Sequence, residues 1–125
     1  MSFVSCFTSV TQVLKHLLSM ASSQVEEMIR EACHLQSKSL NLSHCDLTVV
    51  PVDLCKALSL TRLQLNNNCL VMPPEEIGDL VNLHELSLDH NRLTVLPTTL
   101  FELHRLTVLN ISHNPLGLVL WFSWI

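Results

Sequence analysis

Imidazole is a frequent ligand for zinc and a ready general base, so the histidines are the first place to look for chemistry. His44, His90 and His113 stand at one equivalent position of a recurring pattern, with Asn67 interrupting the column. Copies of the pattern one strand spacing apart bring His90 near His113. A metal site needs further donors and deprotonated rings, and none is obvious at a matching spacing. The column therefore reads as a solvated loop edge, and no metal or cofactor is expected. Cys33 and His34 adjoin in sequence, but a nucleophile and its base must meet in space beside an orienting group, which adjacency does not supply. With only Gly78 and Gly117 in the chain, there is no glycine-rich phosphate loop, and no metalloprotease or kinase signature occurs. The expectation is a protein that is not an enzyme.

Composition narrows the remaining classes. Across 125 residues, 48% are hydrophobic and 14% charged, which places the chain among globular domains and away from disordered ones. Net charge is −4 with a pI near 5.9, and the seven Lys and Arg are scattered without a basic stripe. Nucleic acid and anionic membrane are thus not expected partners. Cys6, Cys33, Cys45, Cys55 and Cys69 form no CxxC pair and leave an odd count, a usage that suits a reducing compartment. Asn41-Leu42-Ser43 and Asn110-Ile111-Ser112 match the glycosylation sequon. Modification requires a secretory route, so both read as accidents of the repeat.

What must position any functional residue is the unit LxLxxNxL. It reads LQLNNNCL from Leu63, LSLDHNRL from Leu86 and LNISHNPL from Leu109, with LNLSHCDL from Leu40 as a copy carrying Cys in place of Asn. Cys45, Asn68, Asn91 and Asn114 recur every 23 residues (68−45, 91−68, 114−91). Leucines two apart point to one side of an extended segment and their alternate neighbours to the other. Segments at a fixed period can stack into a parallel sheet. The amide after each segment both donates and accepts, so the Cys45, Asn68, Asn91, Asn114 column predicts a ladder satisfying the backbone of neighbouring turns. Pro51, Pro74 and Pro97 cannot join a central ladder and mark the return path on the outer face.

Residues 1–36 predict a helical cap, as two helices or one bent helix. Val10, Val13, Leu14, Leu17 and Leu18 follow helical spacing. A second helix is signalled by Ser23 with Glu26 as a capping box and by the stripe Val25, Met28, Ile29 and Ala32. Both stripes are expected to bury against the first repeat, because a stack has no neighbour at its end. The apolar start FVSCFTSV lacks a preceding positive residue and is interrupted by Lys15 and His16, which argues against a secretory signal. No stretch reaches the length of a membrane span.

The pattern LxxLxLxxNxLxxxPxxLxxLxx from Ser37 to about Leu116 resembles the leucine-rich repeat family. The resemblance is to its intracellular 23-residue class, which includes Ras-suppressor-like and Scribble-like scaffolds, and the lead-in VEEMIREACHLQSKSLNLSHCDLTVVP looks like the helical start of such members. It implies an α/β solenoid, a right-handed superhelix with a parallel concave sheet and an irregular or 3-10 convex side. Repeats would occupy 37–59, 60–82, 83–105 and an incomplete 106–125. It also implies a cytoplasmic protein-binding scaffold in signalling, with a partner from a small-GTPase pathway, a phosphatase or a polarity component.

On that face the columns are Lys38, Thr61, His84, Thr107; Ser39, Arg62, Glu85, Val108; Asn41, Gln64, Ser87, Asn110; and Ser43, Asn66, Asp89, Ser112. Arg62, Gln64, Asn66, His84, Glu85 and Asp89 are the candidate contacts, although Arg62 and Glu85 can simply pair across adjacent strands. After Leu116 the chain reads GLVLWFSWI. Trp121, Phe122 and Trp124 either cover the last repeat or leave an apolar patch prone to self-association. Two further readings stay open: a truncated isoform or fragment that self-associates or competes with a longer repeat protein through this end, and a repeat arm of a multidomain enzyme.

Overall fold

In the computed structural model, residues 13–14 and 23–117 are described. A helix, α1, covers residues 23–34. Four three-residue strands follow: β1 (Ser39–Asn41), β2 (Arg62–Gln64), β3 (Glu85–Ser87) and β4 (Val108–Asn110). They form one parallel sheet in sequence order, and the register advances by one full repeat per strand, with Leu40, Leu63, Leu86 and Leu109 in line. Between strands the chain returns through 3-10 helices η1 (Val52–Lys56), η2 (Glu75–Asp79) and η3 (Thr98–Glu102). Pro51, Pro74 and Pro97 precede them as N-caps with φ of −59°, −66° and −67°. A fixed φ near that value and a missing N–H suit the start of a helix, where no intrahelical acceptor is available.

The core is the stack of inward leucines. Leu60, Leu63, Leu65 and Leu70 of one repeat and Leu83, Leu86, Leu88 and Leu93 of the next are completely buried, and Leu54, Ile77 and Leu100 close it from the convex side. Gly78 lies where two convex turns approach closely: a Cβ there would sit 2.8 Å from the Cβ of Thr99.

The N-terminal end is closed by α1, through Val25, Ile29 and Ala32, which join the same core. Met28 does not follow its predicted stripe and is 37% exposed, because the buried strip is the narrow i, i+4, i+7 line and Met28 flanks it. Residue 23 is already helical, so the helix start expected at Ser23 falls at the border of the described residues. Of the earlier predicted helix only residues 13 and 14 are described. Both are helical, but Val13 and Leu14 are more than half exposed rather than buried against the repeats. The rest of that segment, and the aromatic cluster Trp121, Phe122 and Trp124, lie outside the described residues.

At its C-terminus α1 ends in a Schellman turn. Ser37 N–H donates to Ala32 O at 2.9 Å and Gln36 N–H to Cys33 O at 3.4 Å, with Gln36 in the left-handed region at φ 50°. Glycine is the usual residue there because it has no Cβ to clash. Gln36→Gly is therefore expected to raise stability by about 0.5–1 kcal/mol, read as a shift in urea midpoint without a change in m-value.

At the other end of the stack the burial weakens. Leu106, Leu109 and Ile111 are only partly buried against the core, whereas their equivalents Leu83, Leu86 and Leu88 are fully covered.

Candidate interaction surface

The sheet carries its alternate residues outward in columns. Ser39, Arg62, Glu85 and Val108 stand in register, as do Asn41, Gln64, Ser87 and Asn110. At the centre Arg62 Nε lies 3.1 Å from Glu85 Oε2, with both side chains about half exposed. Such a pair contributes little to stability and stays available to a partner. Thr61, Arg62, His84 and Glu85 line a shallow depression of about 390 Å³. His84 Nδ1 approaches Asn82 O at 2.8 Å, which orients the ring on the face.

The six candidates do not stand equally free. Arg62 and His84 are exposed, while Gln64 and Glu85 are half-buried. Asn66 is half-buried too, and its Oδ1 is enclosed without a hydrogen-bond partner. Asp89 is the least available: its side chain is 14% exposed and Oδ2 is 2.9 Å from His90 Nδ1. Asn41 and Asn110 turn back on their own loops, each Oδ1 accepting from the backbone N–H and hydroxyl two residues on, at Ser43 and Ser112.

Behind the face, the buried asparagines link adjacent repeats. Asn68 Oδ1 accepts from Cys45 N–H and Leu47 N–H at 3.0 and 3.1 Å, and its Nδ2 donates to Leu42 O and Leu65 O. One and two steps along, Asn91 and Asn114 donate in the same way, to Leu65 O and Leu88 O and to Leu88 O and Ile111 O, while each Oδ1 accepts one backbone N–H, from Leu70 and Leu93. Cys45 follows α1 rather than another repeat among the described residues, and its thiol reaches Ser43 O at 3.4 Å. Burial, with Asp46 adding to it, pushes that thiol's pKa up. Cys55, in η1, is pushed up to about 11 by burial and then by Glu76 and Asp79, so it remains a protonated packing group near neutral pH.

The histidine column has a backbone explanation that the sequence alone did not reveal. His44, Asn67, His90 and His113 all occupy the left-handed region, at φ 55° to 58°, where Asn and His are enriched among non-glycine residues. The rings of His90 and His113 stack with centroids 4.2 Å apart. Among the described residues no group of three or more His, Cys, Asp or Glu is arranged to hold a metal.

A second concavity was not anticipated. Glu26, Ile29, Arg30 and Cys33 lie on one face of α1 and, with Pro51, Asp53 and Lys56, line a groove of about 290 Å³. Lys56 Nζ bonds Asp53 at 2.9 Å and holds that carboxyl's pKa below its ordinary value. The i, i+3, i+4, i+7 spacing of the four helix residues was the available signal. The Lys56–Asp53 ion pair stands on the rim of the groove.

A stacked, one-strand-per-turn array held by leucine and asparagine columns defines a repeat solenoid, and comparison with known proteins agrees. The leucine rich repeat family model matches residues 37–93 and 81–122; the chain belongs to the leucine-rich repeat family. A leucine-rich repeat protein of Leptospira interrogans is 43% identical with a TM-score of 0.59, over 60% of this chain and 19% of its own length. A TDR receptor structure is 33% identical with a TM-score of 0.58, over 63% of this chain and 14% of its own. The chain therefore spans less than a fifth of either neighbour. No curated protein matches it. Leucine-rich repeats generally mediate protein–protein interaction, and no helix among the described residues is long and apolar enough to cross a membrane.

Proposed function

We propose that this chain is a cytoplasmic protein-binding module of the intracellular 23-residue class, Ras-suppressor-like or Scribble-like, that holds a partner protein of a signalling scaffold on its concave face. A small-GTPase pathway, a phosphatase or a polarity complex is the expected source of that partner. The supporting observation is the arrangement of Arg62, Gln64, His84 and Glu85 on a sheet whose backbone is fixed by stacking. Both charge signs and two amphoteric polar groups are offered from a rigid base, so little ordering entropy is lost on binding. Asn66 and Asp89 serve the edge of the same surface.

The test is the double variant Arg62→Glu with Glu85→Arg. It keeps an exposed pair while inverting the charge pattern, so stability is expected to change by no more than about 1 kcal/mol. Capture of cytosolic partners by the wild-type chain, quantified by mass spectrometry, is expected to fall at least tenfold. Partner capture that survives the double variant but disappears when residues 121–125 are removed would sink this reading and favour binding through the C-terminal end.

A further inference from the structure

One register line across the concave sheet carries four different kinds of side chain in order. Ser39, Arg62, Glu85 and Val108 are successive Cα partners, and they run uncharged, cationic, anionic and apolar. Lys38 precedes Ser39 and is exposed, which sets a second cation beside the β1 end of the line. The charges of the face are not answered evenly. Arg62 reaches Glu85 through Nε at 3.1 Å, and no hydrogen bond engages its Nη atoms among the described residues. The carboxylate of Asp89 is taken by His90. Lys38 Nζ stands in none of the ion pairs among the described residues. The face therefore turns from positive over β1 and β2, through Glu85 on β3, to Val108 on β4, which is 51% exposed.

We propose that this line docks an α-helix of the partner protein laid across the strands, with an acidic side chain on Arg62 and Lys38, a basic one on Glu85 and an apolar one on Val108. This docking deepens the concave-face reading above, on which it rests. Strand spacing selects a helix. Neighbouring strands stand about 4.8 Å apart and a helix rises about 1.5 Å per residue, so side chains at i, i+3 and i+7 meet β2, β3 and β4 within about 1 Å. An extended segment crossing the same strands turns a side chain to the face every ~6.6 Å and is out of step by the third strand. Both inner strands are paired on each side, which leaves side chains rather than main-chain groups to hold the partner. The free Nη atoms of Arg62 form the planar fork that takes a carboxylate through two parallel bonds. Order supplies the selectivity: a helix with the acid and base exchanged sets like charge against like at both β2 and β3.

The probes are two helix-forming peptides built on alanine and glutamine. One carries Glu, Lys and Leu at i, i+3 and i+7, and the other has the Glu and Lys exchanged. Each is titrated into the isotopically labelled full chain, with the amide signals of residues 61–64, 84–87 and 107–110 as the readout. The first peptide is expected to shift these signals saturably and to bind at least tenfold more tightly than the second. The preference is expected to reverse in the double variant Arg62→Glu with Glu85→Arg, and Lys38→Gln is expected to weaken the first peptide at least threefold. The preference of the unsubstituted chain decides the matter if the double variant does not fold. Equal binding of the two peptides, tighter binding of the second, or no shift at these residues overturns the proposal. If partner capture is then still lost in the double variant, the concave-face reading stands without it. Partner capture that ignores the double variant overturns that reading and the helix docking together.

Discussion

Replacing Asn91 by alanine is expected to cost about 3 kcal/mol or more. Asn91 is 7% exposed, and its side chain joins two repeats. Oδ1 accepts from Leu70 N–H at 3.1 Å, while Nδ2 donates to Leu65 O at 3.0 Å and Leu88 O at 2.9 Å. Alanine leaves the Leu70 N–H without its side-chain acceptor, in a space too enclosed for bulk water to substitute. It also removes one of the two donors of Leu65 O and of Leu88 O, which keep Asn68 Nδ2 and Asn114 Nδ2, each lost hydrogen bond adding about 1 kcal/mol. Each buried polar group left unpaired costs about 1–3 kcal/mol. A small domain has about 5–15 kcal/mol in total, so the variant loses a large share of its stability and its melting temperature drops by about 10 °C. Asn91→Asp is expected to do no better, because the carboxylate has no N–H for the two carbonyls and is itself buried. Cys45→Asn supplies the contrast: with α1 and not a repeat before it among the described residues, it is expected to change stability by less than about 1 kcal/mol. Thermal melts of the three variants check this, and an Asn91→Ala melt within 3 °C of wild type would contradict the ladder's energetic role.

The same residues show how much of the molecule could be read from its sequence. The stacked sheet was legible because its demands repeat: each inward Leu and each turn Asn recurs at the same step, and the register of β1 to β4 follows that step residue for residue. The convex turns were legible through their prolines. Other features depend on conformation that no periodicity encodes. The left-handed backbone at His44, Asn67, His90 and His113 explains a histidine column that invited a chemical reading. Asp89 stands in an outward column but turns its carboxylate to His90, and only the rotamer decides that. Met28 matched a helical stripe, yet the contact line of α1 is too narrow to bury it. The concave candidates were placed by arithmetic on the repeat, whereas their differing availability follows from the neighbours each side chain finds.

Leucine-to-alanine changes along a single column should separate the closed middle of the stack from the less buried β4 repeat. Leu86 and Leu109 are register partners, share one residue type and point into the same core. Leu86 is fully buried, while Leu109 is only partly covered. For Leu86→Ala the lost transfer energy adds to that of a cavity whose walls, Leu63 among them, belong to repeats held on both sides, and the expected cost is about 3–4 kcal/mol. Leu109→Ala removes a side chain already partly in water and leaves a recess that solvent can enter, so about 1–2 kcal/mol is expected. Urea unfolding at concentrations low enough to exclude association measures both, with equal m-values required for the comparison. A difference of about 2 kcal/mol would locate the weak end of the solenoid at β4. Equal losses would mean that Leu109 is as enclosed in solution as Leu86.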